Sequence, residues 1–384
     1  MRGLTFAKLE NRSEIPENFS RSSESMKTHA GQLAELRLIE GMTLKLKRLK
    51  AGCAVLWMVL VGGVHARGAA DIAVPRHIPD RYAQPGVLIT IAPGRKLNLR
   101  CEGSGAQTVL LEAGSHADTT TWFKLQPLLA ASSKVCSYDR AGYGFSDEGP
   151  LPRNLAADVA DLHALIHHAG LKTPLVLVGH SRGSNIVRQY AQRYPIDVSG
   201  MVLIDPPAQD VAAVAPDWAR QEEQMSNQRF AFIRQCEAGA ERHQLASPPP
   251  ALEHCVAGAN PLASARVNAA IAAYKYKPAF WRTLMSELKD NVAVYRQPVS
   301  SKESHGSTPM IVLAATDTYA DAPADLRKKL DAARDKTQAQ ILATTTRGER
   351  IVVSHASHDI QLDQPEAVAN SVFALLKQTA APAH

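Results

Sequence analysis

Leu175-Val-Leu-Val-Gly-His-Ser-Arg-Gly-Ser184 is the stretch that decides the fold of this chain. The apolar run Leu175 to Val178 predicts a buried strand, and Asn185 to Tyr194 predicts a helix that ends before a proline. Between them lies a G-x-S-x-G turn with Ser181 at its apex. Glycine is expected on both sides of the serine, because side chains there would clash with the strand and the helix. The hydroxyl would then be exposed at the positive end of a helix, where an oxyanion is stabilised.

G-x-S-x-G also occurs by chance, as a Gly/Ser turn after a core strand. The strand before it and the helix after it favour the interpretation of Ser181 as a nucleophile. A serine hydroxyl is a poor nucleophile near neutral pH and needs a base and a carboxylate beside it.

Composition and charge limit the possible functions. The chain has 384 residues, of which 45% are apolar and 21% charged, enough for one large domain with an insertion or two small ones. Of the net charge of +6, residues 1–66 carry +4, from 10 Lys/Arg and 6 Asp/Glu. The rest of the chain is therefore near neutral, which predicts no nucleic-acid partner.

The front of the chain has the pattern of a secretory signal peptide. The basic segment Lys45 to Lys50 precedes the apolar segment Ala51 to Val64, and Val64-His-Ala66 resembles a small-residue cleavage site. Fourteen apolar residues are too few to span a membrane, which takes about 20. The alternatives are a core helix or a signal anchor. We expect cleavage and a periplasmic or secreted protein.

Residues 1–66 are therefore expected to be a leader and signal peptide, with Met42 as a possible true start. Cys53 lacks the apolar residue that precedes a lipoprotein cleavage site, so we predict no stable membrane anchor. Four cysteines remain after cleavage. An oxidising compartment permits two disulfides, and without a C-x-x-C none of these cysteines has metal-ligand spacing. Cys236 and Cys255 are a plausible pair, whereas Cys101 and Cys136 are either a second pair or buried free thiols.

From the predicted strand Thr108 to Glu112 onward, strands and helices alternate, which indicates a mostly parallel sheet with helices on both faces. Residues 207–305 interrupt this alternation with helical stretches and no good strand, and we expect them to form a helical cap. Residues 67–206 and 306–384 would form the core. Ser181, Asp205, Asp317 and His358 all follow predicted strands. Because the carboxyl ends of parallel strands meet at one edge, these side chains are expected to converge there.

The order Ser…Asp…His and several segments resemble the α/β-hydrolase fold-1 family of esterase/lipase-like serine hydrolases. The segments that carry the resemblance are Val109 to Gly114, Tyr138 to Asp147, Val176 to Ser181, Val202 to Pro206 and Ser357 to Pro365. It covers about residues 86–377 except the cap, and it implies an eight-stranded, mostly parallel sheet.

The resemblance also implies roles for single residues. Ser181 would be the nucleophile, and His358 the base, with His355 in reserve. Asp317 has the usual family position for the acid, and Asp205 an alternative position known in this fold. We prefer Asp317, although the triad logic does not discriminate between them. The backbone N–H groups of Ser115 and Arg182 would form the oxyanion hole.

These features predict an exported serine hydrolase that cleaves a carboxylic ester or related acyl bond of a small molecule through an acyl-enzyme, with no metal or organic cofactor. Serine at the turn argues against the dehalogenase and epoxide hydrolase relatives of this fold, which resemble it but use aspartate there. A lactonase, a thioesterase or an amidase is the alternative on the same fold, because substrate choice depends on the cap. The other alternative is a non-catalytic small-molecule binding protein. The polar stretch Arg220 to Gln224 disfavours an interfacial lipase.

Overall fold

The computed structural model describes residues 74–256 and 258–379. The predicted signal peptide, its cleavage site and the possible start at Met42 lie outside the described residues. In the described part of the chain, no helix combines the length and the apolar character needed to cross a membrane.

One eight-stranded sheet forms the centre of the fold, with the strand order β1-β2-β4-β3-β5-β6-β7-β8. The strands are β1 Val87–Ala92, β2 Arg95–Glu102, β3 Thr108–Glu112, β4 Lys134–Tyr138, β5 Leu175–His180, β6 Val198–Ile204, β7 Met310–Ala315 and β8 Gly348–Val353. β2 is antiparallel to both β1 and β4, and all other neighbours are parallel. The predicted eight-stranded, mostly parallel sheet is therefore confirmed.

The central strands are rich in apolar residues because helices cover both of their faces. Every residue of β3, β5 and β7 is buried. Along β5, Leu175 and Leu177 join the core on one face, while Val176 and Val178 join the core on the other. This alternation follows from the period of two in a strand.

Nine helices are described, in addition to short 3₁₀ turns. They are α1 Leu125–Ala130, α2 Leu155–His168, α3 Arg182–Arg193, α4 Pro216–Glu241, α5 Ala265–Lys275, α6 Pro278–Tyr295, α7 Ala324–Leu342, α8 Ile360–Asp363 and α9 Pro365–Thr379. α2 and α3 pack on one face of the sheet, and α1 and α9 on the other.

Short turns precede two of the helices. A 3₁₀ turn, Thr119–Trp122, precedes α1. The Asp118 side chain accepts a hydrogen bond from Thr120 N at 2.8 Å, which caps this short turn. Before the last helix, α8 forms an extra turn after His358, and Pro365 then begins α9, a favoured position for a residue without an N–H group.

Between β6 and β7, the described residues of 207–305 form α4, α5 and α6 and contain no strand. Their apolar side chains form a separate cluster, in which Phe280 packs edge-on against Trp281 and Tyr274 and against Tyr143 from the loop after β4. A disulfide between Cys236 and Cys255 ties the C-terminal part of α4 to the 3₁₀ turn that follows it.

A second disulfide joins Cys101 to Cys136. These residues lie directly opposite each other on β2 and β4, which are neighbours in the sheet although β3 separates them in sequence. Of the two states left open for this pair, the structure shows the disulfide.

Candidate active site

Ser181 lies at the sharp turn between β5 and α3. Its backbone has φ 52° and ψ −122°, a conformation that costs a non-glycine residue about 1–3 kcal/mol. The N–H group of Ser181 donates to the carbonyl oxygen of Ile204 at 3.0 Å, which ties the turn to the end of β6. Strain of this kind persists where the surrounding structure fixes the backbone, and it is concentrated at functional sites.

The glycines of the turn are required by close backbone contacts. A Cβ on Gly179 would lie 2.5 Å from the carbonyl oxygen of Gly183. A Cβ on Gly183 would lie 2.3 Å from the carbonyl oxygen of Glu112, at the end of β3. Any side chain at either position would push α3 away from the sheet.

His358 follows β8 and contacts Asp205, which follows β6. The distance from His358 Nδ1 to Asp205 Oδ2 is 2.8 Å. The carboxylate can only accept, so Nδ1 carries the proton. In the neutral ring, Nε2 is then the nitrogen that can take a proton from a hydroxyl group.

Asp205 is fully buried and held on both carboxylate oxygens. Ala315 N donates to Oδ1 at 3.2 Å, Thr318 Oγ1 donates to Oδ2 at 2.6 Å, and Arg334 Nη1 lies 3.5 Å from Oδ1. Burial raises the pKa of Asp205, but the hydrogen bond and charge of His358, together with the charge of Arg334, outweigh burial and lower it. Asp205 is therefore ionised near neutral pH.

The same contact acts on His358 in the opposite direction. Burial lowers the pKa of the imidazole, but the hydrogen bond and negative charge of Asp205 outweigh burial and raise it above its ordinary value. A carboxylate that stabilises the imidazolium in this way favours His358 as a general base.

Asp317 does not contact His358, so the preference for Asp317 as the acid is corrected. Its side chain is 41% exposed and pairs with Arg327 on α7 at 3.4 Å. Both aspartates follow strands of the sheet, as expected, but only Asp205 reaches the histidine. His355, the reserve base, is exposed and has a φ of 56°.

Ser115 and Arg182 lie beside the serine. Ser115 follows Gly114, where a Cβ would come within 3.2 Å of the Cβ of Ser181. Arg182 is the first residue of α3, so its N–H group has no acceptor within the helix. Both backbone segments are therefore near the nucleophile, as an oxyanion hole requires.

The side chain of Arg182 forms ion pairs with two neighbouring helices. It is fully buried, with Nη2 2.9 Å from Asp158 Oδ2 on α2 and Nη1 3.0 Å from Asp290 Oδ2 on α6. The first pair ties the start of α3 to α2, and the second ties it to α6 in the segment between β6 and β7.

A buried carboxylate on α6, Glu287, supports the loop after β3. It lies 3.0 Å from Arg140 Nη2 and accepts a hydrogen bond from His116 N at 3.0 Å. Burial raises the pKa of Glu287, but the charges of Arg140 and Arg182 outweigh it and lower the pKa. On the same helix, Asn291 Nδ2 donates to Ser115 Oγ at 2.7 Å.

Sequence reasoning missed Glu287 and Asn291. Their spacing of four residues places them on one face of α6, but no motif marks that helix. Arg140 lies in a motif that was noted, and its Nη atoms donate to the carbonyl oxygens of Ala113 and Gly114 at 2.7 and 2.6 Å. The contact with Glu287 could not be read from the motif.

His180 supports the loop that carries His358. Its Nε2 lies 3.0 Å from the carbonyl oxygen of His358, and since a carbonyl only accepts, Nε2 must carry the proton. Burial is the largest cause that lowers the pKa of His180 to about 4. The ring is therefore neutral at physiological pH.

Comparison with known proteins identifies the family to which the chain belongs. A sequence profile of the Alpha/beta hydrolase family matches residues 109–371, more than half of the chain. The chain belongs to the alpha/beta hydrolase family. This membership confirms the resemblance that its sequence motifs carry.

Individual relatives match shorter stretches of this alpha/beta hydrolase. The uncharacterized protein YqjL of Bacillus subtilis (strain 168) is 34% identical over 112 residues, which cover 29% of this chain and 44% of YqjL. The chain spans less than half of the length of the curated relatives it matches first.

Among solved structures, PA3053 from Pseudomonas aeruginosa PAO1 superposes with a TM-score of 0.51 and 20% identity, covering 73% of this chain and 90% of that one. The epoxide hydrolase CorEH without ligand gives a TM-score of 0.53 and 15% identity, covering 76% and 98%. At these identities the likeness shows the fold and does not extend to the substrate.

Proposed function

We propose that this hydrolase cleaves carboxylic esters of small molecules by a serine mechanism, with Ser181 as nucleophile, His358 as base and Asp205 as acid. The observation that carries the proposal is the strained serine at the start of α3, combined with a histidine hydrogen-bonded through Nδ1 to a buried carboxylate. These are the roles that nucleophilic acyl transfer needs.

In the first step, Ser181 Oγ attacks the acyl carbon, and its proton passes to His358 Nε2. The carbonyl oxygen becomes an oxyanion, which accepts hydrogen bonds from the N–H groups of Ser115 and Arg182. When the carbon–oxygen bond to the leaving group breaks, the imidazolium returns the proton to the departing alcohol. Water then attacks the acyl-enzyme by the same steps, which releases the acid and restores the serine.

Serine at the turn favours this reaction over epoxide opening, although CorEH shares the fold. Attack by a serine on a carbonyl carbon gives an acyl-enzyme, which water hydrolyses with His358 as base. The stretch 220–224 on α4 is exposed and polar, which favours soluble esters over lipid surfaces.

The proposal is tested with p-nitrophenyl esters of increasing acyl length. Wild-type protein should release nitrophenol with a dependence on acyl length, and Ser181→Ala should lose about 10⁴-fold or more in kcat. Ser184→Ala is the matched control, because this serine is buried on the same helix and its hydroxyl donates to Gly179 O, at 3.0 Å. Wild-type rates in Ser181→Ala, or equal losses in both variants, would contradict the assignment.

We also propose that the protein is exported to the periplasm or secreted. Two disulfides support this, since such bonds persist in oxidising compartments. N-terminal sequencing of the protein from the periplasm or medium of an expressing bacterium should begin at residue 67. Uncleaved protein confined to the cytoplasm would contradict export.

A further inference from the structure

Three potential metal ligands converge at the C-terminal ends of α2 and α3, away from the candidate active site. His163 and His167 lie one turn apart on α2, and Asp197 lies in the 3₁₀ turn after α3. α3 has 12 residues, so this end is about 18 Å from its start at the serine. We propose that His163, His167 and Asp197 form a binding site for a divalent metal ion, specifically Zn²⁺.

The distances between the three groups fit a metal site after small side-chain rotations. Asp197 Oδ2 lies 3.7 Å from His163 Nδ1 and 3.9 Å from His167 Nε2, and all three ligand atoms lie within 4.8 Å of one another. Ligands about 2.0–2.1 Å from a tetrahedral Zn²⁺ are about 3.3–3.4 Å apart. Histidines at i and i+4 share one helix face, so the pair needs no change in the backbone.

Neighbouring aromatic residues already orient two of the ligands. Tyr190 Oη donates to Asp197 Oδ2 at 2.9 Å, which leaves the second lone pair of this oxygen for a metal ion. The ring of His163 stacks on Tyr194, with centroids 3.7 Å apart and planes 4° from parallel. Hydrogen bonds and packing of this kind around metal ligands fix their orientation and raise affinity.

The electrostatics of the site also favour a cation. His167 lies in the last turn of α2, where the helix dipole is negative, and Asp197 adds a carboxylate that is 10% exposed. Both features favour a positive charge between the two histidines.

A ligand set of two imidazoles and one carboxylate favours Zn²⁺ over Ca²⁺ and Mg²⁺. Zn²⁺ accepts nitrogen and oxygen ligands in tetrahedral geometry, with water in an open fourth position. Ca²⁺ and Mg²⁺ prefer sites made of oxygen ligands only. A bound ion would join the end of α2 to the segment that follows α3 and would stabilise the folded state by mass action.

Isothermal titration calorimetry with ZnCl₂ at pH 7 tests the proposal on the full protein, without a polyhistidine tag and after chelator treatment. We expect one equivalent to bind with a Kd of about 10 μM or tighter, and the thermal midpoint to rise by several degrees at about 100 times Kd. The double variant His163→Ala/His167→Ala should lose both effects. MgCl₂ should give neither.

The matched control is His168→Ala, since His168 is the next residue on α2 and its Nδ1 contacts the carbonyl oxygen of Thr90 at 2.8 Å. It should bind Zn²⁺ as the wild type does. Circular dichroism of each metal-free variant establishes that it folds, and Asp197→Asn replaces the double variant if that one does not. Absence of saturable binding below about 1 mM, or full binding in folded variants that lack the ligands, would overturn the proposal.

Discussion

Replacing each of the two candidate acids by asparagine separates their roles. Asp205→Asn puts an amide 2.8 Å from His358 Nδ1. An amide nitrogen facing the ring would make Nδ1 an acceptor and leave the proton on Nε2, so the histidine could not take the proton of Ser181. The same change in a well-studied serine protease lowers kcat about 10⁴-fold, which corresponds to about 5.4 kcal/mol.

Asp317→Asn is the matched control. It removes only the contact with Arg327, in which the two side chains are 41% and 36% exposed. A pair this exposed contributes about 0–1 kcal/mol to stability. Since it does not touch the histidine, we expect kcat to change by less than about threefold.

The assay is kcat and KM for a soluble p-nitrophenyl ester, together with urea unfolding of both variants, because Asp205→Asn also alters the surroundings of Arg334. A folded Asp205→Asn variant should lose kcat with little change in KM. A loss of more than 10³-fold in Asp317→Asn, with less than tenfold in Asp205→Asn, would refute the reasoning.

Three further predictions concern packing and pH. Glu287→Ala leaves two buried guanidinium groups without this carboxylate and should lower the free energy of unfolding by about 3–5 kcal/mol. Glu287→Gln should lower this free energy by less. Equal urea midpoints for the wild type and both variants would contradict the prediction. Gly183→Ala places a Cβ 2.3 Å from Glu112 O. Thermal melts should therefore show lower stability, and ester assays lower activity. A melting temperature and an activity equal to those of the wild type would exclude the close contact. Burial lowers the pKa of His358, but Asp205 outweighs burial and raises it. Because the base must be neutral, kcat/KM should fall as the pH drops through a pKa above the ordinary value of about 6.5. A fall in kcat/KM that begins only below pH 6 would contradict a raised pKa.

Local patterns were sufficient to predict the turn that carries Ser181. An apolar run, two glycines around a serine and a helix are contiguous in sequence, and each close contact of the glycines involves backbone at this edge of the sheet. The alternation of strands and helices likewise predicted the sheet, because buried apolar runs such as β3, β5 and β7 are recognisable in the sequence.

The acid could not be chosen in this way. Asp205 and Asp317 both follow strands, and the difference between them is a distance to His358 that depends on tertiary structure. The disulfide between Cys101 and Cys136 could not be predicted for the same reason, because β2 and β4 are adjacent in the sheet but not consecutive in sequence. The ion pairs of Glu287 could not be predicted either, because its partners Arg140 and Arg182 are distant in sequence and meet it only in the folded structure.

The central claim, that Ser181 is the nucleophile, is tested most directly by covalent labelling. Protein treated with a fluorophosphonate, digested and analysed by mass spectrometry should carry one adduct, on the peptide that contains Ser181. Labelling should be stoichiometric, abolish ester hydrolysis and be absent from Ser181→Ala. Folded wild-type protein that stays unlabelled, or an adduct on another residue that accompanies the loss of activity, would contradict the account.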